Sequence, residues 1–228
     1  MKNIAIIPAR GGSKRIPRKN VRDFLGKSII AYSIEIALES GLFDEVMVST
    51  DDVVIAEVAQ KYGAKVPFIR SEENADDHAT TVDVLVEVLQ MYKQQEKHFE
   101  NGCCIYPTAP LLKPAFLKDA HEKLINKNFS TVFPVVEFSY PIQRSLKLSG
   151  KDKVEMNCPE HLESRSQDLP KAYHDAGQFY WFKVEDLLKE KKLFGEYSGA
   201  IVLPSTSVQD IDTEEDWRLA EMKAKLSE

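Results

Sequence analysis

Apolar and polar positions along the chain change their period every few residues. Residues 3–8 (Asn-Ile-Ala-Ile-Ile-Pro) form a short continuous apolar run, which predicts a strand buried on both faces. Residues 28–40 carry apolar side chains at helical spacing, and Gly41 ends that pattern. Residues 45–49 (Glu-Val-Met-Val-Ser) read as a second strand. Asp51 or Asp52 can cap a helix running to about Tyr62, with Gly63 at its end. Residues 66–69 read as a further short strand. Thr80-Thr81-Val82-Asp83 has the spacing of a capping box and opens a helix to about Tyr92. A strand over 102–106, a helix opened by Pro114 and a strand over 131–138 complete the first part.

The rhythm breaks between about Glu137 and Asp175. Residues 144–148 alternate with period two, Ser149-Gly150-Lys151-Asp152 is a turn, and residues 153–156 can return as a hairpin. Alternation resumes with a strand over 178–182, a helix near 184–191, a strand over 200–203 and a last helix. Thr213 can cap that helix, with Trp217, Ala220 and Ala224 on its inner stripe. Strand–helix alternation predicts one α/β domain over residues 1–228, built on a mainly parallel sheet covered on both faces. The segment over about 137–175 is an inserted lobe.

Composition narrows the classes. The chain has 228 residues, 30 Lys+Arg against 36 Asp+Glu and a net charge of −6. That acidic balance argues against a general nucleic-acid binder. No apolar run approaches the roughly 20 residues of a membrane span, and the apolar stretch before Arg10 is too brief for a signal peptide. Cys103, Cys104 and Cys158 form neither a disulfide framework nor a zinc-ligand spacing, and reduced thiols of a cytoplasmic protein are expected.

Against the acidic whole, residues 9–20 (Ala-Arg-Gly-Gly-Ser-Lys-Arg-Ile-Pro-Arg-Lys-Asn) stand out. Arg10, Lys14, Arg15, Arg18, Lys19 and Arg22 place six positive charges within thirteen residues. The loop follows the first strand, where an open α/β sheet usually receives its ligand. Gly11 and Gly12 let the backbone turn so that successive N–H groups can face an anion. A polyphosphate fits such a concentration of charge. The loop matches neither G-x-x-x-x-G-K-[ST] nor G-x-G-x-x-G, so kinase and dinucleotide readings lose their main support. Near the other end, Asp210 and Asp212 bracket Ile211. In an extended segment they share one face, about 6–7 Å apart along the chain. Two carboxylates beside a polyphosphate suit Mg²⁺, which takes few protein ligands and completes its shell with phosphate and water.

Arg10-Gly11-Gly12-Ser13-Lys14, Pro17-Arg18-Lys19-Asn20 and Gln209-Asp210-Ile211-Asp212-Thr213 together resemble the CMP-sialic acid synthetase family. Ser49-Thr50-Asp51 and Pro107-Thr108-Ala109-Pro110 are similar to further motifs of those enzymes, and the likeness runs from residue 4 to residue 216. The resemblance implies a Rossmann-like nucleotidyltransferase that activates a nonulosonic acid with CTP. By the same likeness, Arg10, Ser13, Lys14 and Lys19 would meet the CTP phosphates, with Gly11 and Gly12 in the loop and Asn20 supporting it. Arg70 and Thr81 would lie near the nucleotide, and Asp210 and Asp212 would bind Mg²⁺. The lobe resembles a dimerisation segment that reaches the partner subunit's active site in a homodimer.

Departures from the sialic acid pattern fall at the sugar. Tyr106 stands where that pattern has Gln, Gln143 stands in place of a lobe lysine, and Ala176 replaces an Asn before Gly177. The stretch over 165–181 looks like the pseudaminic acid cytidylyltransferase branch, whose product glycosylates flagellin or surface glycans. Tyr106, Gln143, Arg165, Lys171, His174 and Gln178 are the expected sugar contacts. Cytidylyltransferases for N-acetylneuraminic, legionaminic or 3-deoxy-octulosonic acid are the nearest alternatives. A non-catalytic nucleotide sensor would need the basic loop but not the paired aspartates.

Overall fold

The computed structural model describes residues 1–76, 78–150 and 152–226, so Lys151 of the expected turn lies outside the described residues. The first apolar run is β1 (Asn3–Pro8), buried along all but Pro8. The basic loop follows, then a two-residue hairpin of β2 (Asp23–Phe24) and β3 (Lys27–Ser28) that the polar pattern did not announce. α1 (Ile29–Glu39) leads to β4 (Glu45–Ser49) and α2 (Val53–Lys61). Asp52, not Asp51, caps α2: its Oδ1 accepts from Val54 N at 2.8 Å and Ile55 N at 3.0 Å. The expected capping box opens α3 (Thr81–Gln94), with Thr80 and Asp83 exchanging bonds. β5 (Asn101–Ile105), α4 (Pro114–Asn126) with Pro114 in its first turn, and β6 (Thr131–Glu137) follow.

The strand expected at 66–69 does not form. Only Lys65 pairs with Met47, through a single parallel bridge. Pro67 has no N–H to continue a ladder, and the chain runs on as a loop to Arg70.

After β6 the chain leaves the sheet. A short 3₁₀ turn precedes the expected hairpin, β7 (Leu146–Ser149) with β8 (Lys153–Met156). It returns as β9 (Tyr173–Asp175), which pairs antiparallel with β6, and β10 (Phe179–Lys183), which lies antiparallel between β5 and β6. No described residue from Phe138 to Asp175 is buried. α5 (Val184–Glu190), β11 (Ser198–Val202) and α6 (Glu214–Leu226) finish the chain.

The main sheet runs β11-β6-β10-β5-β1-β4, with β9 against β6. β4, β1, β5, β6 and β11 point one way and only β9 and β10 oppose them. Alternate residues of each strand feed opposite cores. Ala5, Ile7, Val46 and Val48 meet α1 and α4 on one face. Ile4, Ile6 and Met47 meet Leu85, Val88 and Tyr92 of α3 on the other. Gly102 is required where β5 meets β10, because a Cβ there would stand 2.3 Å from the Phe182 ring.

Candidate active site

Strand order reverses at β1. The chain moves from β1 to β4 on one side, then returns through α3 to β5 on the other. The carboxyl ends of β1 and β5 therefore part above a crevice, the usual ligand position of an open α/β sheet. Residues 9–20 leave β1 at that point. Their backbone is anchored from β4: Ala9 N donates to Ser49 O at 2.9 Å. The buried Asn20 donates through Nδ2 to Arg10 O at 2.9 Å, so it braces the loop from beneath.

Gly11 works differently from the expected anion nest. Gly11 N already donates to Asp51 Oδ1 at 2.9 Å. A Cβ on Gly11 would lie 2.9 Å from Asp52 Oδ2, so glycine is needed here for close approach. Arg18 takes a left-handed backbone at φ 53° and sits 3.8 Å from Asp52 Oδ1. The acidic start of α2 thus pins the loop and leaves its side chains to face the crevice.

Two adjoining cavities open there. One, about 390 Å³, is lined by Ser13, Lys14, Arg15, Lys19, Asn20 and Thr108. The other, about 270 Å³, is lined by Arg70, Thr80, Thr81 and Tyr106, and both share Pro8 and Arg10. Arg70 is buried and held by Ser49, through Nε to Oγ at 3.0 Å and NH2 to the carbonyl at 2.5 Å. Thr81 Oγ1 lies 3.4 Å from Tyr106 Oη.

The acidic segment closes on this crevice. Ile211 is fully buried beside Trp217, which turns Asp210 and Asp212 outward around it. Lys19 Nζ donates to Ile211 O at 2.6 Å and stands 3.7 Å from Asp212 Oδ1. Arg15 NH2 is 2.7 Å from the same oxygen. Burial pushes the Asp210 carboxyl up, Asp212's charge adds to that, and Lys19 opposes it. Burial pushes the Lys19 ammonium down, while Asp212 and Asp210 pull it back. The expected cap of α6 at Thr213 forms, with Thr213 and Asp216 exchanging hydrogen bonds.

A third cavity, about 300 Å³, lies on the far side of Asp210, between His174, Asp175, Ser205, Gln209 and Lys223. Gly177, at φ 60°, turns the chain between β9 and β10 there. Its N–H donates to Asp175 Oδ1 at 2.8 Å, and Tyr180 Oη donates to Asp175 Oδ2 at 2.6 Å. Tyr180 meets Tyr106 edge-on, with ring centroids 5.6 Å apart. A line of polar side chains thus joins the Thr81 cavity to the Asp210 cavity.

Residues 4–207 match the family model described as Cytidylyltransferase. The chain belongs to the cytidylyltransferase family. It is 49% identical over 227 residues to the pseudaminic acid cytidylyltransferase of Campylobacter jejuni, covering 100% of this chain and 98% of that one. It is 34% identical over 231 residues to the CMP-N,N'-diacetyllegionaminic acid synthase of Legionella pneumophila, again 100% and 98% covered. Among solved structures, CMP:2-keto-3-deoxy-manno-octonic acid synthetase complexed with CTP superposes with a TM-score of 0.71 at 18% identity. That match covers 100% of this chain and 99% of the other, and it shows a shared fold.

On this cytidylyltransferase fold, the sequence-predicted residues divide into three groups. Arg10, Ser13, Lys14, Lys19, Asn20, Arg70, Thr81 and Tyr106 line the two adjoining cavities. Asp210 and His174 line the third, and Asp212 meets Lys19. The lobe residues stand apart: Arg165 pairs with Asp168 at 2.7 Å, Lys171 with Glu137 at 2.8 Å, and Gln143 Nε2 donates to Pro170 O at 3.2 Å. Gln178 lies beneath the surface. It is 1% exposed, and its Nε2 donates to Ser207 O at 2.9 Å, so its amide ties β10 to the loop after β11. Arg15, Asp51, Asp175 and Tyr180 were missed as site residues. Arg15 lay in the basic run and Asp51 in Ser49-Thr50-Asp51, but only the fold shows which partner each meets.

The donor set at Asp210 and Asp212 fits Mg²⁺. Both are hard oxygen ligands, and no group of three or more His, Cys, Asp or Glu placed to hold a metal occurs among the described residues. Such a site leaves coordination positions to phosphate and water, as Mg²⁺ prefers. A divalent cation would also relieve the repulsion that raises Asp210.

Proposed function

We propose that this chain transfers CMP from CTP to the anomeric C2 hydroxyl of a nonulosonic acid, and that the acid is pseudaminic acid. The observation that carries the reading is the meeting of Lys19 and Arg15 with Asp212 at the carboxyl end of β1. Cations for a triphosphate and carboxylates for a divalent ion converge there. The 49% identity along the whole chain supports the sugar. The hydroxyl oxygen bonds to the α-phosphorus of CTP, the bond to the β-phosphate oxygen breaks, the hydroxyl proton is lost and pyrophosphate leaves.

Each group has a role in that reading. Arg10, Ser13, Lys14 and Lys19, carried by Gly11 and Gly12, hold the triphosphate and offset charge gathering on pyrophosphate. Arg70 and Thr81 line the nucleoside end. Tyr106 and His174 face the sugar from two sides. Asp210 and Asp212 would hold Mg²⁺, which when bound neutralises phosphate charge and favours ionisation of the attacking hydroxyl. Holding both reactants in line supplies most of the rate. The setting is the cytoplasm, where CTP and reduced thiols occur together.

The assay that tests this reading supplies CTP, Mg²⁺ and, one at a time, pseudaminic, legionaminic, N-acetylneuraminic and 3-deoxy-octulosonic acids, and follows pyrophosphate release. Turnover with pseudaminic acid at the highest kcat/KM is expected. Turnover with N-acetylneuraminate alone removes the pseudaminate assignment, and no release with any acid removes the transferase reading in favour of a nucleotide sensor.

The same proposal makes the protein a homodimer that exchanges lobes. Leu146, Leu148 and Val154 lie exposed on one face of the β7–β8 hairpin, while Lys147 and Glu155 pair on the other. An apolar face of that kind is a contact surface in waiting. Crossing to a second copy would carry Gln143, Arg165 and Lys171 towards the partner subunit's sugar. Light scattering is expected to give twice the 25.9 kDa chain mass, and Leu148→Asp to shift it towards the single-chain value. A wild-type mass of one chain at micromolar concentration contradicts the exchange.

A further inference from the structure

We propose that Lys223 and Gln209 are positioning residues for the paired aspartates, a clamp on α6 that sets the geometry in which Asp210 and Asp212 take a divalent cation. The inference rests on the metal reading above and extends it to the residues that hold the segment carrying the two aspartates.

The problem the fold must solve is electrostatic. Asp210 and Asp212 flank one fully buried residue, Ile211, so two like charges are held close together on one short segment. The segment that carries them, residues 208–213, is neither helix nor strand. Backbone bonding of regular structure does not fix it, and the repulsion would be relieved by letting the segment turn. Side chains have to hold it.

They do so at both ends. From α6, Lys223 Nζ donates to Ser205 O at 2.9 Å, to Val208 O at 2.6 Å and to Gln209 Oε1 at 3.0 Å. Those bonds gather the turn that enters the acidic segment. Gln209 passes the restraint on, since its Nε2 donates to Asp210 O at 3.0 Å and lies 3.3 Å from Asp216 Oδ1. Asp216 holds the exit, because its Oδ2 accepts from Asp212 N at 3.1 Å, Thr213 N at 2.8 Å and Thr213 Oγ1 at 2.7 Å. Ile211, fully buried, is the pin between the two ends.

A cap explains Asp216 and Thr213, but it does not explain Lys223. An apolar side chain there would fill the same space without donating to any of these oxygens. What the lysine adds is three donors aimed at oxygens immediately before Asp210. Supports of this kind around metal ligands typically change metal affinity by about 10- to 100-fold when removed.

The test uses full-length protein saturated with CTP and no sugar, so that no turnover occurs, and follows binding of Mn²⁺ by electron paramagnetic resonance. Lys223→Met is expected to weaken Mn²⁺ binding about tenfold. In the complete assay it should raise the Mn²⁺ concentration for half-maximal turnover by a similar factor. Lys223→Arg should recover part of the affinity. If Lys223→Met does not fold, Gln209→Ala breaks the same chain of bonds and is expected to weaken Mn²⁺ several-fold. Wild-type Mn²⁺ affinity in the folded variant overturns the clamp. The metal reading is scored separately with Asp212→Ala: unchanged Mn²⁺ affinity there means that the aspartates hold no cation at all.

Discussion

Asp212→Ala is expected to leave the protein folded and to cut formation of the CMP-sugar by about a hundred- to a thousandfold, the several kcal/mol that a metal's charge stabilisation is worth. The fold should survive because Asp212 is not what holds its segment. Ile211 is the buried anchor, Asp216 bonds the backbone on the exit side, and the Asp212 side chain is 37% exposed. Its ion pair with Arg15, between two largely exposed groups, contributes at most about 1 kcal/mol. The loss is therefore one of chemistry. On the Mg²⁺ reading a single carboxylate then remains for the cation, and Arg15 and Lys19 lose the negative partner that fixes them. Pyrophosphate release at saturating CTP and sugar, with circular dichroism as the control, measures the effect. Turnover near the wild-type rate in Mg²⁺ would show that the carboxylates serve the loop and not a metal.

How far this arrangement could be read in advance differs by element. Continuous apolar runs and capping signals placed β1, β4, β5 and most helices within a residue or two, because those elements are decided by their own side chains. β9 could not be read that way. Tyr173, His174 and Asp175 are all exposed, and they form a strand only because Val135, Val136 and Glu137 offer an edge. The segment at 66–69 shows the reverse, an apolar run denied a ladder by Pro67. At the site, charge was legible and partnership was not. The basic loop and the two aspartates stood out by composition, but the Gly11 amide that was expected to face a ligand bonds Asp51 instead. Gln178, expected to meet the sugar, is buried, with its Nε2 on Ser207 O. Lys223 gave no signal, since a lysine on an amphipathic helix is ordinarily a solvated one.

The contact between the two clusters makes Lys19 the next most sensitive position. Lys19→Ala is expected to weaken CTP binding by about thirty- to a hundredfold, some 2–3 kcal/mol, the range for losing a charged donor that is partly buried and hydrogen-bonded. Three consequences add in the same direction. The carbonyl of Ile211, 192 residues away in sequence, loses a donor at 2.6 Å. Asp210 and Asp212 lose the Lys19 charge that opposes the upward push on the Asp210 carboxyl, so repulsion towards an incoming triphosphate grows. The triphosphate loses a donor that burial has already stripped of much of its water, with a side chain only 21% exposed. Arg10→Ala should cost less, because the Arg10 guanidinium is nearer solvent and one of its donors is engaged by Asp76 O at 3.0 Å. Lys19→Arg should restore charge without restoring the fit at Ile211, and so fall between the two. Calorimetric titration of CTP in the presence of Mg²⁺ ranks the three variants. Unchanged affinity in both Lys19→Ala and Arg10→Ala would mean that the basic loop does not hold the triphosphate, and the convergence of charge at the end of β1 would then need another ligand.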